Sequence, residues 1–352
     1  DTFTYTICDD DETPTCSTAT ITVTVLDEGT PTANNDLVIF DANATEMNIE
    51  NLLANDELID DASLTSVDMS ASTGTVILNE DGTVTYSAAA GFTGEDTFIY
   101  TICDDDAPEA SCSSATVTVQ VVYPVTFNIP QELEYYYEGT VFSETPDFND
   151  LVLSDLTSSK HTTILSYGQR HNYLYDADAD LNNPANVILM YSGESRDERE
   201  YTSDSNSHNP QTFNTEHIYP QSRLSSTDAV TDLHHLRSTD AEVNSLRSNY
   251  PYIDASGVYQ LVDGASWFPG DEWKGDVARM ILYLNIRYNE QFNKVGSLEL
   301  FLKWNREDPV SPFEEQRNNV IEDAQGNRNP FIDNPYLATL IWGGQAAENR
   351  WE

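Results

Sequence analysis

The sequence predicts a multidomain chain, with all-β sandwich repeats first and an α+β domain containing a ββα unit after them. Three observations carry this. The stretch Asp1–Val25 recurs almost intact at Asp96–Val121. All basic side chains and all six histidines lie from Lys160 onward. Residues 214–249 crowd an adjacent Glu-His pair, a His-His pair, Asn244 and three Arg into a strand, loop, strand, helix pattern.

The chain of 352 residues has a formal charge of −44, and its length suits two or three domains. Residues 1–123 hold 24 Asp plus Glu and no cation, and the remainder holds the other acids and all 16 Lys plus Arg. A segment without cations cannot pair its carboxylates internally, so divalent ions or salt must screen it. There is no apolar run of about 18 residues to span a membrane. The sequence starts inside a strand pattern with no signal peptide, as a processed or excised piece would.

In the first repeat Phe3, Tyr5 and Ile7 alternate, then Ile21, Val23 and Val25; in the second Phe98, Tyr100 and Ile102 do, then Val117, Val119 and Val121. Period-2 alternation with a repeat near 95 residues suits an array of small β-sandwiches. Asp81-Gly82 between alternating strands is a hairpin signal. The cysteines pair by short spacing, Cys8 with Cys16 and Cys103 with Cys112, each clipping a hairpin over an Asp run. Disulfides imply an oxidising, extracellular setting; zinc is the rival reading, but no His is near and the spacing is not a zinc knuckle's. The expected domains are the end of a preceding repeat (1–26), a full repeat (27–122), a linker (123–130) and a second domain (131–352). With Asn55-Asp56, Gly74-Thr-Val, Asp81–Tyr86 and Gly91–Phe98, the repeat resembles bacterial Ig-like or cadherin-like tandem repeats. Asp36, Asp56, Asp60, Asp61 and Asp104–Asp106 offer the hard oxygens that structural Ca²⁺ needs; a solvated acidic surface suited to high salt is the equal alternative.

After Pro124–Pro130 the composition turns to Tyr, Asn, Arg and His. Leu151–Leu156 reads as helix, Thr162–Leu165 as a strand piece and Val187–Tyr191 as a buried strand. Asp176, Asp178 and Asp180 lack the Gly and Glu of a calcium loop and read as a turn. Val277, Ile281, Leu284 and Tyr288 make one helical stripe. Ser311-Pro312-Phe-Glu314 predicts a capping box closed by Gly326, and Asn334-Pro335 opens a helix that Gly343 ends.

Within 214–249, Glu216-His217 alternates as a strand ending at Pro220, Asp232–Leu236 reads as a second strand, and Thr239-Asp-Ala-Glu242 as a capping box opening the helix of Asn244 and Arg247. Neighbours on a strand point to opposite faces, so Glu216 and His217 share a task only around an edge. His217 has the residue type of a general base; a structural histidine is the bland alternative. Arg247 lies one turn beyond Asn244 on much the same face and suits a phosphate contact. Arg223, Arg279 and Arg328 are weaker nucleic-acid contacts. His234 reads as scaffold, and a zinc site at His234 and His235 is disfavoured because adjacent side chains diverge.

This stretch, with Tyr173–Tyr191, Lys274–Tyr288, Trp304–Ile321 and Gln325–Trp342 in order, resembles the bacterial endonuclease I family of His-Me finger (ββα-metal) nucleases over roughly 131–345. The resemblance implies a sequence-non-specific endonuclease acting on DNA, with RNA a second substrate, and leaving 5′-phosphate products. It implies His217 as general base and one divalent cation, Mg²⁺ ahead of Mn²⁺ or Ca²⁺, on Glu216 and Asn244. It also implies a secreted or surface-exposed setting; a monomer is expected. The alternative class is a surface adhesion or array protein whose nuclease-like domain is inactive or only binds. The negative charge predicts weak, metal-dependent, non-specific binding with cleavage fastest at moderate to high salt, because screening confines repulsion to about 10 Å at 0.1 M.

Overall fold

A computed structural model describes residues 1–23, 29–106 and 109–352. The chain forms two compact units, Asp1–Tyr123 and Pro124–Glu352. Val25 and the expected boundary at 26/27 fall outside the described residues.

The first unit opens with an antiparallel hairpin of β1 (Thr2–Cys8) and β2 (Cys16–Thr22). Then come β3 (Asp36–Asp41), β4 (Met47–Ile49), β5 (Ser63–Asp68), β6 (Thr75–Leu78), β7 (Val84–Ser87), β8 (Gly94–Cys103) and β9 (Cys112–Val122). They form two sheets, ordered β3-β9-β8-β5 and β4-β7-β6. The predicted alternation holds: Phe98, Tyr100, Ile102, Val117, Val119 and Val121 are all fully buried. Each such side chain contributes about 1.5–3 kcal/mol by leaving water. Their counterparts Phe3, Tyr5, Ile7 and Ile21 are exposed on the β1–β2 hairpin. Both disulfides are formed, Cys8–Cys16 and Cys103–Cys112, each across the terminal pair of its ladder. Asp56, one of the expected calcium ligands, accepts from the Tyr100 hydroxyl at 2.8 Å and from Asn34 N at 2.7 Å.

The second unit begins earlier than the sequence suggests. Pro124-Val125 pairs with Phe142-Ser143, Asn128 N donates to Trp351 O at 2.9 Å, and Phe127 packs edge-on against Phe142 and Trp351. The apolar residues in that segment give it something to bury, so it docks instead of spanning as a linker. The core gathers Tyr136, Leu153, Val277, Ile281, Leu284, Trp304 and Trp351 around the helix Lys274–Tyr288. That helix is buried nearly all round, so its predicted stripe was too narrow. The helix Pro312–Gln325 has the predicted capping box from Ser311 and Glu314 and ends at Gly326 with φ 92°. The helix Tyr336–Trp342 ends at Gly343.

Thr162–Leu165 is not a strand, and the strand near Val187 covers Asn183–Ile188 alone, with Leu189, Met190 and Tyr191 buried beyond its end. The Asp176–Asp180 segment is a helical turn, Leu174–Ala177, followed by a short strand, not a simple turn. Its Asp178 is fully buried. Asp178 Oδ1 accepts from Arg237 Nε at 3.0 Å and from Arg317 Nη1, and Oδ2 accepts from Ser238 N at 2.6 Å. Arg317 also donates to Leu233 O and Leu236 O. One carboxylate thus ties three segments beneath the functional site.

Candidate functional site

The strand Phe213–His217 pairs antiparallel with the strand Leu236–Asp240, setting Glu216 opposite Arg237 and His217 opposite Leu236. The second strand is therefore shifted toward the C-terminus from the expected Asp232–Leu236. Leu233–His235 is a 3-10 turn instead, because Asp232 caps it by accepting from His234 N at 2.9 Å. Asp232 is itself held by the Tyr283 and Tyr288 hydroxyls at 2.7 and 2.9 Å and by Gln325 Nε2 at 3.1 Å. The following helix, Ala241–Arg247, is capped by Asp240 and not Thr239: Asp240 accepts from Glu242 N and Val243 N. Thr239 cannot cap because it is buried in the ladder opposite Asn214.

Burial pushes Asp232 up, but His234, His161, the His234 N–H and the Tyr283 hydroxyl outweigh it and hold the group well below the usual carboxylate range. A depressed acid contributes stability above its unfolded value of about 3.9, and that stability is lost as pH falls through the folded value. We expect Asp232→Asn to flatten the fall in stability below pH about 4, read by urea unfolding across pH; an unchanged slope would refute the assignment.

Glu216 and His217 end their strand, and both are largely buried, 4% and 8% exposed. His217 Nε2 lies 3.0 Å from Val230 O. Only an N–H bonds to a carbonyl, so the neutral ring carries its proton on Nε2 and its lone pair on Nδ1. Tyr167 stacks on the ring at 5.8 Å and 13°, and His235 lies 5.4 Å away. Burial first, then His235 and Arg170, lower the His217 pKa to about 3. The ring is thus neutral, the form a base requires.

Glu216 Oε1 accepts from the Tyr191 hydroxyl at 3.0 Å and lies 2.9 Å from Arg247 Nε. The Arg247 N–H does not point along a hydrogen bond, so the contact is an ion pair. Burial drives Glu216 up to about 7, against the lowering by Arg247, Tyr191 and the His217 N–H. Asn244 Nδ2 donates to Asn214 Oδ1 at 2.7 Å and to Thr215 O at 3.3 Å. That fixes the amide with its nitrogen inward and leaves Oδ1 as the free acceptor. A buried carboxylate and an oriented amide oxygen are each hard oxygen donors, the chemistry that a divalent cation of the Mg²⁺ type takes.

The arginines are placed differently from expectation. Arg247 is fully buried and donates to Ser248 O, Tyr250 O and Ile218 O besides its pairing with Glu216. Its guanidinium is spent on the scaffold and on Glu216, not open to a phosphate. Arg279 is fully buried against Glu314 at 2.6 and 2.7 Å. Arg328 is bound by Asp333 and Glu322. Arg223 is half-buried and donates to Lys294 O. His234 Nε2 contacts Asn327 O at 3.1 Å and His235 Nε2 contacts Ala229 O at 2.6 Å. Each Nε2 thus meets a carbonyl in a different segment, His234 near Asn327 and His235 in the loop whose Val230 carbonyl meets His217.

Two residues escaped the sequence reading. Arg170 is half-buried, donates through Nε to Thr215 Oγ1 at 3.1 Å and lies 3.5 Å over the Tyr167 ring. Tyr167 is exposed. Tyr167 lies in a turn and Arg170 in the 3-10 helix Gln169–Asn172 that follows, some fifty residues before Glu216, and no spacing rule links that distance to the site.

The Endonuclease I family model matches residues 152–336, and a bacterial Ig domain model matches residues 28–120. The chain belongs to the endonuclease I family, a nuclease family, with a bacterial Ig domain preceding the nuclease domain. The extracellular ribonuclease of Bacillus amyloliquefaciens is 41% identical over 209 residues, covering 52% of this chain and 70% of that protein. The extracellular ribonuclease of Bacillus subtilis is 38% identical over 236 residues, covering 60% of this chain and 79% of that protein. A periplasmic deoxyribonuclease of Aeromonas hydrophila is 33% identical over 112 residues, covering 29% of this chain and 47% of that protein. No helix among the described residues is long and apolar enough to cross a membrane.

Proposed function

We propose that this protein is a secreted, metal-dependent, sequence-non-specific endonuclease of the His-Me finger type. RNA joins DNA as substrate in this reading, since similar relatives are named for each. The observation that carries it is the His217 ring, locked through Nε2 on Val230 O, with Glu216 next to it in the strand and oriented by Tyr191, and Asn244 oriented by Asn214. His217 Nδ1 takes the proton of the attacking water. Tyr167 and His235 hold the ring against rotation. Glu216, positioned by Tyr191 and Arg247, and Asn244, positioned by Asn214, would hold the divalent cation. When bound, that ion supplies positive charge to the phosphate and the leaving 3′ oxygen. Arg170 offers the half-exposed guanidinium beside His217 and is the phosphate contact in this reading.

Plasmid nicking in Mg²⁺ tests it. EDTA abolishes nicking and added Mg²⁺ restores it, while Glu216→Gln raises the Mg²⁺ needed for half-maximal rate by more than about tenfold. Undiminished nicking in EDTA, or a Glu216→Gln protein with the parent's Mg²⁺ dependence, sinks the assignment. Binding of nucleic acid without any cleavage would favour the adhesion or array reading.

A further inference from the structure

We propose that Asp60, Asp104 and Asp106 form a calcium site within the Ig-like unit, separate from the nuclease chemistry. One carboxylate oxygen from each lies within 4.8 Å of those of the other two. Asp104 and Asp106 follow β8 inside the loop closed by Cys103–Cys112, while Asp60, with φ 57°, comes from the turn before β5. Residues far apart in sequence are therefore brought to one point by the β5–β8 pairing, which sets Ser63 opposite Cys103.

Crowded carboxylates alone would be no more than an acidic surface. Asp104 goes further: it is 6% exposed. Its Oδ1 accepts from Ser111 N at 2.8 Å and from Asp106 N at 3.3 Å. Its Oδ2 is buried with no hydrogen-bond partner. A buried anionic oxygen without a donor is among the costliest groups in a fold unless a cation meets it. Residues 1–123 contain no Lys, Arg or His to do so. The counter-charge for Asp104 therefore comes from a bound ion. Hard carboxylate oxygens and the absence of nitrogen or sulfur donors select an alkaline-earth ion, and a pair of loops contributing from two sides suits the larger, geometrically tolerant Ca²⁺ over Mg²⁺.

The site would brace the β8–β9 loop against the turn before β5. Equilibrium dialysis of the full chain with ⁴⁵Ca²⁺ tests this, comparing the parent with Asp104→Asn, Asp106→Asn and Glu216→Gln. The parent is expected to bind one Ca²⁺ at this site with Kd about 10⁻⁴–10⁻³ M, the range of extracellular modules. Asp104→Asn and Asp106→Asn each weaken it at least tenfold, and Glu216→Gln leaves it in place. Asp106 is less buried than Asp104, so Asp106→Asn decides the matter should Asp104→Asn disturb the loop. Parent-like binding by Asp106→Asn, or loss of this binding in Glu216→Gln alone, overturns the proposal. Nicking by Asp106→Asn in Mg²⁺ stays at the parent rate, which keeps this result distinct from any failure of the nuclease reading.

Discussion

His217→Ala lowers the rate of phosphodiester cleavage by about 10²–10⁴-fold, the usual contribution of a positioned general base. On the proposed mechanism the loss falls on kcat, because the ring would meet the attacking water and not the bound polymer. The side chain is held on both sides, by Val230 O through Nε2 and by Tyr167 against its face, so removing it leaves the site without a substitute base. The measurement is single-turnover nicking in saturating Mg²⁺, with urea unfolding as a control. Truncation also frees the Val230 carbonyl, and a stability loss of about 1–3 kcal/mol is expected alongside. Equal nicking by parent and variant would show that His217 is not the base.

Asp178→Ala is expected to destabilise the nuclease unit by about 3–5 kcal/mol, the scale for breaking a buried ion pair by removing one partner. The carboxylate is fully buried and neutralises Arg237 and Arg317, themselves 0% and 1% exposed. Removing it strands two guanidinium groups, of which Arg237 keeps a 3.2 Å contact to Asp276 and Arg317 keeps two carbonyls. It also frees Ser238 N, which lies in the strand facing Thr215. Activity falls with stability, since that strand carries the register of Glu216 and His217. All five tryptophans lie in the second unit, so their fluorescence during urea unfolding reports that unit alone. A midpoint shift worth less than about 1 kcal/mol would mean that Asp178 is dispensable.

The buried arginines also bear on how so acidic a chain meets a polyanion. Arg237, Arg247, Arg279 and Arg317 are interior, so the nuclease unit has far less free positive charge than its sequence suggests. Binding by few phosphate contacts has a shallow salt dependence. Whether cleavage is fastest at moderate to high salt is read from the rate of plasmid nicking across a NaCl series.

By itself the sequence determined what depends on local chemistry and on repetition. Alternation over β8 and β9 placed Phe98, Tyr100, Val117, Val119 and Val121 in the core, because side chains on a strand alternate faces whatever surrounds them. Ser311, Glu314 and Gly326 bounded their helix because cap and αL positions are satisfied within a turn. The cysteine spacing matched the disulfides because each closes its own hairpin. Within residues 214–249, residue types, order and resemblance pointed to Glu216, His217 and Asn244, the residues of the proposed site. What the tertiary structure alone decided concerns charge and distance. Arg247, Arg279 and Arg328 were legible as cations but not as buried ones, since their partners Glu216, Glu314 and Asp333 are chosen by packing. Asp178 passed for a turn residue because Arg237 and Arg317 lie 59 and 139 positions away. The shift of the second strand to Leu236–Asp240 follows from Tyr283, Tyr288 and Gln325 seizing Asp232, contacts no local pattern contains. Asp60 meeting Asp104 is the same case: a pairing of strands, invisible along the chain, turns scattered acids into one place that calls for a cation.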